Sequence, residues 1–273
     1  MRHSTKVKIN DIDLHILRDG KNTFTNDIFV ETSDSEIEQL LLSNQQTKIE
    51  TSFNAFLIKS NDEYILIDTG AGELFGSIAG NLETALRELG VSNSDITKLI
   101  VTHLHPDHIG GAIDSQRNGI FKNAEFFLSE KEYNFWTNSA NFTKQPEAQT
   151  HPLAVLDAYK ANLLLTKKNS DLGFGLSTID LPGHTAGHIG VRISSGSDKF
   201  VIAGDIIHAE HLQFSNPNIG VVFDQDYELA KQSRISMLDM LASDEIRFTG
   251  GHLLPPAVSI VSKKGNSFIY NMA

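Results

Sequence analysis

The chain has 273 residues, of which 40% are apolar and 21% charged, and this composition provides a buried core without disulfides or an oligomeric partner. Its net charge of −11 repels phosphate backbones and so argues against a nucleic-acid partner. The chain contains no cysteine, which excludes disulfides and thiolate ligands, so any metal must be bound by imidazole and carboxylate groups.

The predicted elements begin after an N-terminus in which no apolar segment follows the basic residues, and no later stretch approaches about 18 apolar residues. We therefore expect no membrane partner and a cytoplasmic location, or a periplasmic one if an export signal has been removed. The sequence leaves open whether the chain forms a homodimer.

The first third of the chain predicts mainly strands. Residues 7–16 alternate apolar and polar side chains with period two, as in a half-buried strand. The polar segment 19–50 predicts a long loop with one short helix, and such a segment often covers an active site. Two β-rich runs, 53–58 and 64–68, are separated by a polar segment that includes residues 60–63 and predict a hairpin.

Helices and strands follow over the rest of the chain. Apolar residues at helical spacing predict a helix over 82–89 that ends at Gly90, and 96–102 reads as a buried strand. Further strands are predicted at 124–128, 176–180, 188–194, 199–203, 246–249, 258–262 and 267–270, and further helices at 129–136, 151–165 and 226–241. Strand clusters in both halves, each accompanied by helices, predict one α/β (α+β) domain over 1–273 with two packed sheets and helices outside.

The central chemical signal is the run from Thr102 to His108, in which His103, His105, Asp107 and His108 follow a buried strand. In extended geometry the first two histidines project to the same side. If the chain turns into a helix at the intervening proline, the last two side chains can point back at a second position nearby. Two isolated histidines are more often solvated or satisfied in the core, but four potential ligands in one run favour a metal site.

Three more candidate ligands, His184, Asp205 and His252, each follow a predicted strand and lie beside glycine. Glycine permits positive φ and close backbone approach, which lets a ligand lean into a crowded centre. The pattern therefore predicts a ring of ligands at one edge of a β-sandwich.

The ordered set of HxHxDH, His, Asp and His resembles the metallo-β-lactamase superfamily along nearly the whole chain, which implies its αββα sandwich. The resemblance also implies two divalent metal ions, with zinc expected and iron, manganese or cobalt as alternatives. By this resemblance Asp68 orients a ligand loop, and His188 is structural. The implied assignment gives His103, His105 and His184 to the first metal, Asp107, His108 and His252 to the second, and Asp205 to both.

Several branches of that superfamily fit poorly. The true β-lactamases use a cysteine ligand, which this chain lacks. Glyoxalase II would need a helical C-terminal region, whereas 242–273 reads as short strands. Nucleases of the superfamily need basic surfaces, and flavodiiron proteins need a flavin domain.

The closer resemblance is to the branch that contains methyl parathion hydrolase and related lactonases, and it covers 50–76, 134–136, 203–214 and the segment up to His252. It implies that the aromatic residues Phe75, Trp136 and Phe223 line a substrate pocket, over which 19–50 closes. Each of these residues could instead lie in the core, and for Phe75 and Phe223 the core and the pocket are equally favoured.

The predicted function is a binuclear metal-dependent hydrolase in which a hydroxide bridging the metals attacks a lactone or an aryl ester. Asp107 and His208 are the candidate catalytic residues. Asp107 would pass a proton to the leaving group, and His208, at a position where lactone-hydrolysing relatives carry a hydrogen-bonding side chain, would donate to a substrate oxygen. The alternative for His208 is a surface histidine. Alternative functions are a phosphotriesterase, an acyl-homoserine lactonase and, from another class, a non-catalytic metal-binding protein that would lack a ligand.

Overall fold

The computed structural model describes residues 3–61 and 63–272. Part of the turn predicted between 58 and 64 lies outside the described residues, because Asp62 is not among them. The strands are β1 Ser4–Ile9, β2 Ile12–Phe24, β3 Phe29–Val30, β4 Ile49–Ser60, β5 Glu63–Ile67, β6 Ile96–Ile100, β7 Glu125–Ser129, β8 Leu163–Thr166, β9 Asp171–Gly173, β10 Leu176–Asp180, β11 Ile189–Ser195, β12 Asp198–Ile202, β13 Gly220–Val221, β14 Arg247–Thr249, β15 Ser259–Lys264 and β16 Ser267–Met272. The helices are α1 Asp34–Ser43, α2 Leu82–Glu88, α3 Pro106–Ile109, α4 Glu130–Thr137, α5 Thr150–Tyr159, α6 Glu210–Gln213 and α7 Tyr227–Ser243.

Two seven-stranded sheets form the centre of the fold, in the orders β1-β2-β4-β5-β6-β7-β8 and β16-β15-β14-β12-β11-β10-β9. Because side chains alternate along a strand, Ile65 and Ile67 of β5 join the core shared with Val191 and Phe200 of the second sheet. Leu66, between them, packs in a second core beneath α2 and α5. This arrangement confirms the predicted sandwich of two sheets with helices outside.

The single strand predicted over 7–16 is a hairpin of β1 and β2. Its turn lies at Asn10, which adopts a φ of 45°, and Ile9 pairs with Ile12 across it. Asparagine tolerates this left-handed conformation better than most residues. The period of two continues on both sides of the short turn, so the alternation alone conceals the reversal of the chain.

The segment 19–50 is more ordered than the long loop that its polar composition predicts. β2 continues to Phe24 because it pairs with β4 as far as Ile49, and α1 begins after Ser33, which accepts a hydrogen bond from the backbone N–H of Glu36 (3.3 Å). β3 pairs with β13, which attaches this segment to the second half of the chain.

The helix predicted over 151–165 ends at Tyr159, and residues 163–166 form β8 instead. β8 runs parallel to β7 at the edge of the first sheet, where Leu164 and Leu165 are 41% and 43% exposed. A short apolar run of leucines fits either element, so periodicity does not separate them.

The longest helix, α7, begins after Asp226, whose side chain accepts a hydrogen bond from the backbone N–H of Leu229 (3.0 Å). Its buried residues Met237, Leu238 and Leu241 join the core of the second sheet. Throughout 3–61 and 63–272, the helices are too short or too polar to cross a bilayer.

A buried carboxyl group joins α6 to the C-terminal strands. Glu210 accepts a hydrogen bond from the backbone N–H of Leu254 (3.2 Å), and its other oxygen lies 3.4 Å from the hydroxyl of Tyr270. Burial raises the pKa of Glu210 from 4.5 to about 7. Below about pH 7 the folded protein therefore favours the neutral acid.

This raised pKa predicts a pH-dependent stability. The contribution of Glu210 to the free energy of unfolding is fully present below about pH 4.5. It is lost as pH rises towards 7, because the group ionises in the unfolded chain but stays neutral in the folded protein over that window. Relative to Glu210→Gln, the wild-type free energy of unfolding should fall by about 3 kcal/mol over that range. Urea unfolding at a series of pH values measures the difference. Glu38→Gln, a substitution at an exposed position, serves as the control. An equal pH dependence in the wild type, Glu210→Gln and Glu38→Gln contradicts the prediction.

Candidate metal centre and substrate cavity

The seven candidate ligands converge at one edge of the sandwich. They stand on loops that follow β6, β10, β12 and β14, and α3 carries two of them. They form two groups, whose ligand atoms lie within 4.8 Å of one another inside each group: His103, His105 and His184 in the first, and Asp107, His108, Asp205 and His252 in the second.

In the first group three ring nitrogens face each other. Nε2 of His103 lies 3.1 Å from Nδ1 of His105, which lies 2.9 Å from Nε2 of His184. Burial lowers the pKa of all three histidines well below its usual range, so the rings are neutral. Neutral imidazoles offer lone pairs, and a convergence of lone pairs suits a cation.

The second group combines imidazoles with carboxylates. Nε2 of His108 and Nε2 of His252 lie 3.0 and 2.9 Å from Oδ2 of Asp205. Oδ2 of Asp107 lies 3.5 Å from Nε2 of His252. Although burial opposes it, the carboxylates of Asp205 and Asp107 raise the pKa of His108 well above its usual range. A mixed set of nitrogen and oxygen donors suits zinc and several other divalent ions.

Asp205 joins the two groups. Its Oδ2 lies within 3.7 Å of the Nε2 atoms of five histidines: His103, His108, His184, His208 and His252. Its Oδ1 is buried and has no hydrogen-bond partner among the residues that the structure describes. A buried carboxylate oxygen without a partner is costly, which is a second sign that the cluster is built around cations.

Two histidines of the second group, His108 and His252, are oriented by hydrogen bonds that their Nδ1 atoms donate. Asp68, at the end of β5, accepts from Nδ1 of His108 (2.8 Å) and from the backbone and hydroxyl of Thr102 (both 2.8 Å). The carbonyl of Ser52 accepts from Nδ1 of His252 (3.0 Å). Because Nδ1 of each ring donates to one of these acceptors, the Nε2 atoms of both rings face the second group.

Gly251 shows how closely the backbone approaches this group. A Cβ atom at this position would lie 2.3 Å from Oδ1 of Asp205 and 2.9 Å from Cε1 of His108. Only glycine fits there without moving a ligand, in agreement with the predicted role of glycine beside each ligand.

Sequence reasoning missed Glu132, a fully buried residue on α4. Its carboxylate accepts hydrogen bonds from the backbone N–H groups of Leu104 (3.0 Å) and Gly187 (2.9 Å) and from the hydroxyl of Thr185 (2.7 Å). Glu132 therefore links, through these hydrogen bonds, the loop that carries His103 and His105 to the loop that carries His184.

Trp136 does not line the substrate cavity, contrary to the prediction. It is 4% exposed, stacks on Phe142 with ring centroids 4.9 Å apart, and donates from Nε1 to Glu132 (2.7 Å). Its large ring belongs to the core of the first sheet. The tryptophan thus supports the ligand loops through Glu132 instead of meeting a substrate.

A cavity of about 370 Å³ opens directly above the two groups of ligands. Phe75 and Phe223 line it as predicted, together with Asp107 and His208. Sequence reasoning missed Asn22, Phe24 and Phe53, which complete the wall. A larger cavity, of about 660 Å³, lies elsewhere and is lined by none of the clustered ligands. The smaller cavity is therefore the candidate substrate site.

His208 is 1% exposed and so is not the surface histidine of the alternative reading. Its ring stacks on His252 with centroids 4.7 Å apart, and its Nε2 lies 3.5 Å from Oδ2 of Asp205. His188 lies behind the cluster, where its Nε2 accepts a hydrogen bond from the backbone N–H of Asp205 (3.0 Å).

The fold and the clustered ligands define the class of protein. Residues 51–252 match the metallo-beta-lactamase superfamily, and the chain belongs to this superfamily. The match confirms the resemblance noted in the sequence.

Two solved structures resemble the whole chain. The structure of AidC, described as a dizinc quorum-quenching lactonase in complex with a product, is 30% identical with a TM-score of 0.92, over 100% of this chain and 99% of that chain. The hydrolase AbOPH of the beta lactamase superfamily is 25% identical with a TM-score of 0.91, over 100% and 98%. A probable metallo-hydrolase from Methanocaldococcus jannaschii is 30% identical over 52% of this chain, and the alignment spans 50% of that relative's length.

Proposed function

We propose that the chain hydrolyses a lactone or an aryl ester with the help of two divalent metal ions, for which zinc is the expected element. The position of Asp205 carries the proposal, because one oxygen of this carboxylate lies within 3.7 Å of ring nitrogens from both ligand groups. Two ions held by these groups would share that carboxylate. The description of AidC as a dizinc lactonase supports the same conclusion.

When bound, such ions supply a water nucleophile at neutral pH and polarise a carbonyl oxygen. The chain's own residues bind and orient the substrate beside them. Asp107, whose side chain is 15% exposed, lines both the cavity and the second ligand group, so its carboxylate stands where it can pass a proton to the departing oxygen.

The walls of the cavity indicate an apolar substrate group. Four phenylalanines line the cavity, Phe24, Phe53, Phe75 and Phe223, and a volume of about 370 Å³ suits a small molecule. Asn22 and Phe24 belong to the segment 19–50, which supports the proposal that this segment covers the active site. An aliphatic acyl chain and an aryl ring both fit such walls.

His208 is the proposed hydrogen-bond donor to the substrate. It lines the cavity, and its Nδ1 is buried without a hydrogen-bond partner in the described part of the chain. A ligand oxygen would supply the missing partner. An ester or lactone offers a carbonyl oxygen, to which the ring donates when its proton is on Nδ1, and such a donor stabilises negative charge that develops on this oxygen.

This role predicts a change of substrate preference in His208→Leu. The variant should lose about 10- to 100-fold in kcat/KM for a lactone and an aryl ester, because the donor is gone, and should lose less for a phosphotriester. One preparation is assayed on a δ-lactone, an aryl ester, an acyl-homoserine lactone and a phosphotriester. His208→Gln, which keeps a donor, is the matched variant and should retain more lactone activity. An unaltered lactone-to-phosphotriester ratio in His208→Leu would contradict the role.

Acyl-homoserine lactones are the second candidate substrates. The observation in their favour is the similarity to AidC and to an N-acyl homoserine lactonase from a Bacillus species, which is 23% identical over 68% of this chain and 75% of that relative. The four-substrate assay separates them from simpler lactones. The same assay tests the phosphotriesterase alternative. A non-catalytic metal-binding protein is disfavoured, because all seven candidate ligands stand together.

A further inference from the structure

We propose that Asp224 is a positioning residue that fixes the tautomer and the orientation of His184 and ties this ligand to the wall of the cavity. Oδ1 of Asp224 lies 2.8 Å from Nδ1 of His184, and both residues are buried. The proposal rests on the proposed metal centre but not on the identity of the substrate.

The contact determines which nitrogen of His184 carries the proton. A carboxylate only accepts hydrogen bonds, so Nδ1 of the ring must donate. The lone pair is then on Nε2, the atom that faces Nδ1 of His105 at 2.9 Å. Asp224 thus presents the first ligand group with the nitrogen that a cation needs, as Asp68 does for His108 in the second group.

A buried arginine holds Asp224 in place. Arg234 of α7 is 1% exposed, and its Nη2 lies 3.7 Å from Oδ2 of Asp224. The guanidinium donates to the carbonyls of Ile206 (2.6 Å) and Pro217 (2.9 Å), so it cannot swing away from the carboxylate without losing these bonds. Oδ2 of Asp224 also accepts from the backbone N–H of Val221 (3.2 Å).

The same loop forms part of the cavity wall. Phe223, the residue before Asp224, lines the cavity beside Phe24, with ring centroids 6.2 Å apart. Val222 donates from its backbone N–H to the carbonyl of Ile28 (2.9 Å), which belongs to the segment 19–50. Three consecutive residues, 222–224, therefore connect the covering segment, the cavity wall and a ligand of the first group.

The test measures zinc binding in three purified full-length variants. Zinc-free protein is titrated with zinc by calorimetry in the presence of a competing chelator. In Asp224→Ala, one of two dissociation constants should rise about 10- to 100-fold while the other stays near the wild-type value. In Asp224→Asn, which keeps an acceptor oxygen of the same size, the rise should be smaller. Asp226→Ala, which removes a neighbouring carboxylate that accepts a hydrogen bond from the backbone N–H of Leu229 at the start of α7, is the matched control and should bind both ions like the wild type.

A spectroscopic measurement covers the case in which Asp224→Ala does not fold. Long-range ¹H–¹⁵N spectra of the imidazoles report the tautomer of His184, which should carry its proton on Nδ1 in the wild type and in Asp224→Asn. A wild-type His184 with its proton on Nε2 overturns the proposal. Two wild-type dissociation constants in a folded Asp224→Ala overturn it as well, while leaving the proposed function intact. A wild-type protein that binds no zinc overturns both.

Discussion

Asp205→Ala should abolish hydrolysis and reduce bound metal while the fold remains. The variant removes the oxygen that lies within 3.7 Å of five imidazole nitrogens, so no carboxylate joins the two ligand groups. Loss of an outer partner of a metal site already costs about 10- to 100-fold, and loss of a shared ligand should cost more than about 100-fold in kcat/KM. Metal analysis, circular dichroism and a lactone assay on the same preparation provide the measurement.

Two further variants make this result interpretable. Asp198→Ala removes a carboxylate at the other end of β12, which pairs with Arg247 at 3.1 Å on the surface, and it should keep both metal and activity. His105→Ala should reproduce the loss of activity from the first ligand group. Wild-type turnover of a lactone by Asp205→Ala or His105→Ala would rule out the metal mechanism.

Glu132→Ala should destabilise the protein by at least about 3 kcal/mol, because it leaves several buried donors without an acceptor and each typically costs about 1–3 kcal/mol. Four donors surround this carboxylate: the backbone N–H groups of Leu104 and Gly187, the hydroxyl of Thr185 and Nε1 of Trp136. The loops of His103 and His184 should loosen together, so zinc binding to the first group should weaken in the same variant. Urea unfolding of the zinc-free protein measures the stability.

Trp136→Phe separates the hydrogen bond from the packing. Phenylalanine keeps an aromatic ring against Phe142 but removes one of the donors to Glu132, so the expected loss is smaller, about 1–2 kcal/mol. If Glu132→Ala were no less stable than Trp136→Phe, the carboxylate would not be the link between the ligand loops.

The candidate ligands could be predicted because their signal is local. His103 to His108 form one dense run after a buried strand, and the later ligands each follow a strand next to glycine. The ends of strands meet at one edge of a sandwich, so a pattern along the chain becomes a cluster in space. The two sheets could be predicted for the same reason, because alternation and β-rich runs are short-range features.

The supporting residues could not be predicted, because their partners are far away in sequence. Glu132 stands in the first turn of a helix, where a glutamate is usually solvated, and only the packing of α4 against two loops shows that it is buried. Asp224 follows no motif, and its partner His184 is 40 residues away. The resemblance predicts Trp136 in the cavity, whereas the ring is buried in the core and donates a hydrogen bond to Glu132.

The ligands come from both sheets, and this division has a consequence for folding. His103 to His108 follow β6 of the first sheet, whereas His184, Asp205 and His252 follow β10, β12 and β14 of the second, and each ligand group draws on both sets. Any ion bound by either group is thus a cross-link between the two halves of the chain. Ligands that bind only the folded state stabilise it by mass action, so a chelator should lower the melting temperature, and in a chain cut between residues 166 and 171 the two halves should associate more tightly with metal present.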